Sequence, residues 1–186
     1  MHTGIPAEVR RGLLALARLS IATFLRDGRR LKRGRDFEDL APQARGAFVT
    51  LHTAAGDLRG CIGSIYPVGP LDETVASMAV AAAVEDPRFR PVVLPELASL
   101  RLEISALTVP GPADPEHIEV GRHGLIITRG SHKGLLLPQV APEWGWDRQE
   151  FLDHTCQKAG LPAGAWRDPG TKVEWFEAEV WGERAE

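Results

Sequence analysis

Residues 58–65 read LRGCIGSI, where Cys61 sits between Gly60 and Gly63 and Arg59 lies two places before it. A cysteine thiolate is both a nucleophile and a metal ligand, and a neighbouring guanidinium favours it over the thiol. Side chains alternate across a strand. If Leu58 and Ile62 face a core, Arg59 and Cys61 therefore share the opposite face. Gly60 and Gly63 would let a ligand or another segment approach the backbone, and a glycine bulge could re-aim the sulfur. The competing reading makes Cys61 a small buried residue, with the glycines relieving crowding against a helix, since free cysteine is among the most buried residue types. A nucleophile also needs a base. None adjoins Cys61 in the sequence, so His52, His123 or Glu103 would have to be delivered by the fold.

Asp86 and Arg88, in EDPRFRP, form a local ion pair that fixes a turn or else line a binding surface, because functional groups concentrate on loops held by rigid elements. His123, in GRHGL, reads as a turn residue or a binding group. Cys156 reads as a small core residue on a helix. The histidines show no metal-ligand spacing, and HExxH, GxSxG, Walker and GxGxxG patterns are absent. No metal is expected and no cofactor is required by these residues. Five tryptophans, at 144, 146, 166, 175 and 181, gather late in the chain as core residues or interface anchors.

The 186 residues carry 22 basic and 25 acidic side chains, a formal charge of -3, which gives no general attraction for nucleic acid or anionic lipid. A basic run between Arg26 and Arg35 swings acidic at Asp36, Glu38 and Asp39 and reads as a solvated loop, with an anion or RNA contact as the alternative. Two cysteines make no disulfide framework, so a reducing cytoplasm is expected. The apolar stretch GLLALARLSIATFL, broken by Arg18 and Ser20, is too short for a membrane span.

The elements that must position Cys61 follow from periodicity. Val9, Leu13, Leu16, Ser20 and Phe24 recur every three or four residues, giving an amphipathic helix that starts at Pro6. AFVTLHT and LRGCIGSIY, joined by AAGD, predict a β-hairpin with Cys61 near the middle of its second strand. LDETVASMAVAAAVED predicts an alanine-rich helix that ends before Pro87. LRLEISALTV alternates as a half-buried strand. HIEVG, LIITR and LLLPQV predict a three-stranded meander. Asp147 and Glu150 suggest a capping box at the start of DRQEFLDHTCQKAG, with Gly160 at its end. KVEWFEAEVWG closes the chain as a strand with one wet face. Helices and antiparallel strands in irregular order define an α+β class.

The ordered series AFVTL, LRGCIGSI, DPRFRPV, the EL..L.LEIS.L pattern from Glu96 to Leu107, VGRHGLII, LLLPQVAPEWGWD and FLDHTCQKAGL resembles the AMMECR-one domain family. It spans roughly residues 45–161. The resemblance implies a single domain over residues 5–183, of α+β fold, with two unequal lobes: a larger one from both chain ends, a smaller one inserted, and a cleft between. Prokaryotic members of this family resemble the A component of the so-called AmmeMemoRadiSam system, encoded beside a Memo-like protein and a radical S-adenosylmethionine protein. The implied role is an enzyme or substrate-handling subunit in a pathway with those two proteins, or a non-catalytic adaptor that binds them; RNA binding is a further alternative. The segment Leu58 to Gly63 carries over as the motif, with Asp86, Arg88, Phe89, His123, Gly124, Pro138 and Gln139 as cleft or turn positions. Cys61 is then the candidate nucleophile, Arg59 and Glu103 its supports, and Gly60, Gly63, Asp86, Arg88, His123 and Gln139 the binding positions.

Overall fold

In the computed structural model, which describes residues 4–183, helix α1 (Ala7–Asp27) begins after Pro6 and ends at Gly28. The φ of Gly28 is 66°, so its N–H can turn back to the Phe24 carbonyl, a left-handed cap that favours glycine. Strands β1 (Gly46–His52) and β2 (Leu58–Ser64) form the expected hairpin, and α2 (Leu71–Val84) follows. A short helix α3 (Leu94–Leu97) leads into β3 (Arg101–Leu107). Next come β4 (Gly111–Pro112), β5 (His123–Arg129), β6 (His132–Leu136), α4 (Val140–Trp144) and α5 (Arg148–Lys158), and β7 (Lys172–Gly182) closes the chain.

The class is α+β, with antiparallel pairing throughout the hairpins. The chain divides into two units, one formed by the stretch up to Leu107 together with the residues from Glu179 on, the other by Thr108–Ala178. Strand β7 contributes to both.

In the first unit the strands run in the order β2-β1-β3, with the last residues of β7 beside β3. One face of this sheet is apolar: Ala47, Val49, Leu51, Leu102, Ile104 and Ala106 are buried under α1 and α2 with Leu13, Ala17, Ile21, Val75 and Ala79. Alternation then sends Phe48, Thr50 and Glu103 to the face away from the helices. The alanines of α2 let its backbone approach β2 closely. A Cβ at Gly60 would lie 2.2 Å from the Ala82 carbonyl oxygen.

In the second unit β4 and β5 flank β7, and β6 pairs β5. Its core joins Leu125, Ile127, Phe151, Leu152, Cys156 and Ala165. The capping box forms as expected: Asp147 Oδ1 accepts the Glu150 N–H at 2.8 Å, and Glu150 Oε2 accepts the Asp147 N–H at 3.0 Å.

Two expectations are corrected. HIEVG is not a strand: Asp114 caps a 3₁₀ turn over Pro115–His117, and the chain turns again at Gly121, so the meander reduces to the β5–β6 hairpin. The alternation along β7 also breaks near its end, where Val180 is exposed while Trp181 packs on the core of the first unit. Among the described residues no helix is long and apolar enough to cross a membrane.

Candidate functional site

Cys61 lies on the edge strand of the first unit's sheet, directly opposite Thr50 of β1, and Thr50 lies opposite Glu103 of β3. The Cys61 N–H points outward, donating to Asp86 Oδ2 at 2.9 Å. Thr50 and Cys61 therefore form a non-hydrogen-bonded antiparallel pair, the type whose side chains lie closer. The Thr50 hydroxyl donates to Cys61 Sγ at 3.3 Å. The sheet register thus sets a thiol, a hydroxyl and a carboxylate in one row, on the face away from the helices. Cys61, Thr50 and Glu103 are all half-buried, open to solvent on that face.

The loop after α2 closes the open edge. Asp86 is buried and accepts four hydrogen bonds, from the Cys61 N–H, the Arg88 N–H at 3.1 Å, Arg88 Nε at 2.9 Å and Arg88 Nη2 at 2.7 Å. Arg88 Nη2 also reaches the Cys61 carbonyl at 3.4 Å. One ion pair thereby satisfies both outward-facing backbone groups of Cys61, where a further strand would otherwise pair. The Arg88 hydrogen bonds, followed by the Cys61 N–H, hold the Asp86 carboxyl well below the usual carboxylate range against the opposing effect of burial. Arg88 is in turn held more firmly protonated, first by Asp86 and also by the charge of a Cys61 thiolate.

Arg59 does not take the role expected of it. A bulge falls between Leu51 and His52, so that His52 pairs with Leu58, and Leu58 is turned out to solvent while Ile62 packs on the core. The Arg59 guanidinium grips Glu96, with Nε at 2.6 Å from Oε1 and Nη2 at 3.1 Å from Oε2, and Nη1 donates to the Arg90 carbonyl at 3.0 Å. It ties the edge strand to α3. Arg88 is the cation that contacts Cys61, at its backbone carbonyl.

Of the two approaches the glycines allow, another segment rather than a ligand fills the space here. Gly60 accommodates the Ala82 carbonyl, and a Cβ at Gly63 would lie 2.3 Å from the Phe48 ring. Phe48 faces the same side as Thr50 and so walls one side of the thiol.

His123, Gln139 and Gly124 lie in the second unit. His123 Nδ1 accepts the Glu119 N–H at 3.0 Å, while the His123 N–H donates to the Glu119 carbonyl at 3.0 Å, so the imidazole closes its own turn. Burial lowers its pKa, and its ring lies 4.4 Å from that of Trp175. Gln139 is exposed at the start of α4, where its side chain makes no cap. Gly124 lies under the Phe176 ring.

The arginines of the basic run are paired with acids of the following loop and of the α2 region. Arg29 meets Asp36 at 2.7 Å, Arg30 pairs Glu85, and Arg33 lies 3.0 Å from Asp39 and 3.3 Å from buried Asp72. An apolar groove of about 300 Å³, lined by Leu16 and Leu19 of α1 with Phe37 and Leu40, contains none of the candidate groups. Among the described residues no three His, Cys, Asp or Glu side chains converge as metal ligands.

Thr50 and Glu96 were not singled out from sequence. Both are long-range partners, and only the hairpin register, had its bulge been known, would have placed Thr50 against Cys61.

Comparison with known proteins joins this geometry to a family. The family model described as AMMECR1 matches residues 14–181. A protein of Methanothermobacter thermautotrophicus is 48% identical over 180 residues, covering 93% of each chain. Protein PF1979 of Pyrococcus furiosus is 46% identical over 181 residues, covering 92% of this chain and 86% of its own length. The crystal structure of uncharacterised protein PH0010 from Pyrococcus horikoshii superposes with a TM-score of 0.85 at 43% identity, covering 97% of this chain and 94% of that one.

Proposed function

The chain belongs to the AMMECR1 family, and from that premise we propose that it is an enzyme, or the substrate-handling subunit of one, whose Cys61 thiol bonds transiently to substrate. The observation that carries this reading is the row Cys61–Thr50–Glu103 on an open sheet face, with the Cys61 backbone clamped from the edge by Asp86 and Arg88. A small core cysteine needs neither a hydroxyl on its sulfur nor a clamp on its backbone.

The reaction suited to this row is acyl capture. The thiol proton passes through solvent on this face to the Glu103 carboxylate, the Thr50 hydroxyl donates to the sulfur it leaves, and the sulfur bonds to an activated acyl carbon. The leaving group then departs with its bonding pair and takes the proton back from Glu103. Thr50 and Arg88 stabilise the thiolate at the start, and Phe48 limits the approach to one side. A pathway shared with a Memo-like protein and a radical S-adenosylmethionine protein fits this role, because a thiol-bound group can be handed on. Detecting either complex by calorimetry with the purified proteins tests that part separately.

The adaptor reading, in which LRGCIG forms a docking edge, meets an edge already occupied at Cys61 by the Asp86–Arg88 loop. RNA binding through Arg26 to Arg35 meets arginines already engaged by Asp36, Asp39, Asp72 and Glu85.

The test uses p-nitrophenyl acetate as acyl donor. The expected result is a stoichiometric burst of nitrophenolate with an acetyl group on Cys61, absent in Cys61→Ser and slowed about a hundredfold in Thr50→Val and Glu103→Gln, the lower end of the range for a general acid–base group. Acylation of the native protein no faster than that of free cysteine would overturn the proposal.

A further inference from the structure

Four of the five tryptophans have a cationic group or a histidine ring against the indole. The Arg10 guanidinium lies 5.4 Å from the Trp181 ring centre, and the Arg167 guanidinium 3.8 Å from that of Trp166. His123 lies 4.4 Å from Trp175, and His154 stacks on Trp146 at 3.8 Å and 15°. Trp144 departs from this pattern. It is 70% exposed, and its ring stacks on that of Trp146, at 6.0 Å and 18°.

The three-ring stack Trp144–Trp146–His154 is rigidly mounted. Trp144 ends α4, Gly145 takes a left-handed φ of 69°, and the Trp146 N–H donates to the Ala141 carbonyl at 2.9 Å. One residue later the Asp147–Glu150 capping box starts α5, and His154 is held by Gln157 at 3.0 Å. An aromatic platform fixed from both sides loses little freedom when something docks on it.

The charge around the platform selects what docks. Glu143, Asp147 and Glu150 are acidic, Asp153 being turned to the Gly164 N–H and the Trp166 indole, and the only Lys or Arg between residues 140 and 155 of the sequence is Arg148, which is held by Glu116 at 2.7 Å. The Asp147 and Glu150 carboxylates accept backbone N–H groups at the start of α5, and among the described residues neither is paired with a lysine or arginine. A phosphate chain is repelled by this surface, whereas a cation is drawn to both the indole face and the carboxylates. Guanidinium suits it better than ammonium because it is planar, weakly hydrated and stacks on aromatic faces.

We infer that the Trp144–Trp146 platform is a docking site for an arginine side chain on a basic segment of a partner protein. The guanidinium stacks on the outer face of Trp144 and is steered by Glu143. The surface lies within the second unit and uses none of the Cys61 row, so it stands or falls independently of the acyl-capture reading.

The experiment follows the tryptophan indole N–H resonances of the full chain by NMR during titration with the peptide acetyl-Gly-Arg-Gly-Arg-Gly-amide. A lysine version, a glutamate version and adenosine monophosphate serve as competitors. The expected result is saturable movement of the Trp144 and Trp146 signals with the arginine peptide, weaker movement with lysine and none with glutamate. Affinity should fall about tenfold in Trp144→Ala, the scale of one well-placed cation–π contact, and severalfold in Glu143→Gln, with a dependence on salt. Because Trp144 is exposed, Trp144→Ala should fold; Glu143→Lys, which leaves the stack intact and reverses the local charge, gives the same loss through electrostatics alone. No movement with millimolar arginine peptide overturns the inference. So does tighter binding of the nucleotide, or concentration-dependent self-association that covers Trp144 with a second copy.

Discussion

In the first unit Gly60 lies against the Ala82 carbonyl of α2, and in the second Gly134 lies against the Ala159 backbone at the end of α5. Each unit also lays a phenylalanine ring over a cross-strand glycine, Phe48 over Gly63 and Phe176 over Gly124. Each carries one cysteine. The packing devices match, yet the cysteines have opposite fates. Cys156 sits on the inner face of α5, fully buried, and burial pushes its thiol pKa up. Cys61 sits on the strand face that no helix of its unit covers, half-buried, with a hydroxyl on its sulfur. Two small free thiols of one chain thus differ in chemistry through the layer on which they stand.

The sharpest way to break this comparison is to measure the two thiols separately. In single-cysteine variants, Cys156→Ser and Cys61→Ser, alkylation by iodoacetamide should be at least about a thousandfold faster at Cys61 than at Cys156, whose reaction must wait for opening of the core. Rates within a factor of ten, read by intact mass against time, would mean that the burial contrast does not govern reactivity.

The glycine pairs come next in size. Gly60→Ala and Gly134→Ala place a methyl against a backbone that cannot step aside, and each should cost about 3 kcal/mol, the upper part of the overpacking range. For a chain of this length that is a fall of about 6–12 °C in melting temperature. Gly63→Ala meets the Phe48 ring as well as the Ala47 carbonyl oxygen, and shortening Phe48 to leucine should restore the part of its loss that is due to the ring. The same rescue is unavailable to Gly60→Ala. Calorimetry on the four variants ranks them, and a Gly60→Ala protein as stable as the parent would remove the close approach of α2 from the account.

How much of this could be read from the residues follows the range over which each feature is determined. Pro6 before α1, the acids opening α2, and Asp147 with Glu150 are local signals, and those elements form where expected. The hairpin was legible from two apolar runs and a glycine turn, and with it the presence of Cys61 on β2. Its partners were not. Thr50 reaches Cys61 across 11 positions through a register that a bulge shifts, and Glu96 reaches Arg59 across 37 through the path of a proline-rich loop. Adjacency in sequence suggested Arg59 as the thiolate's cation, whereas the clamp geometry couples Arg88. HIEVG misled because alternating apolar residues describe a strand only when the flanks permit one, and Pro115 and Gly121 do not.

Asp86 should give a smaller but more telling effect than the glycines. Asp86→Asn keeps the shape and removes the charge that holds Arg88 and the Cys61 N–H, for an expected loss of about 2–3 kcal/mol near neutral pH, the cost of stranding hydrogen-bonded partners. Because the native carboxyl is held well below its ordinary value, the unfolded chain takes up the proton first as pH falls. The contribution is therefore full above the ordinary carboxylate range and drains away below it. Urea midpoints of the parent should drop more steeply than those of Asp86→Asn in that acid window, and amide exchange at Cys61 should quicken in the variant. Parallel acid curves would show that the clamp contributes no charge-dependent stability.

The second unit titrates in a different window, and this is the smallest of the effects. Burial lowers the His123 pKa, the neighbouring carboxylates of Glu119 and Glu177 only partly opposing it. The native imidazole thus stays neutral, its Nδ1 accepting the Glu119 N–H, at a pH where the unfolded chain has begun to bind a proton near its ordinary value of about 6.5. Stability from this group is complete above that pH and declines as pH falls through it toward the native value. His123→Gln, which cannot titrate, should flatten the stability curve from the unfolded imidazole pKa of about 6.5 down toward the lower native value, while leaving the acid limb governed by Asp86 unchanged. If His123→Gln instead altered the acid limb alone, the two windows could not be assigned to the two units, and the contrast between a charged clamp in one and a neutral turn in the other would fail.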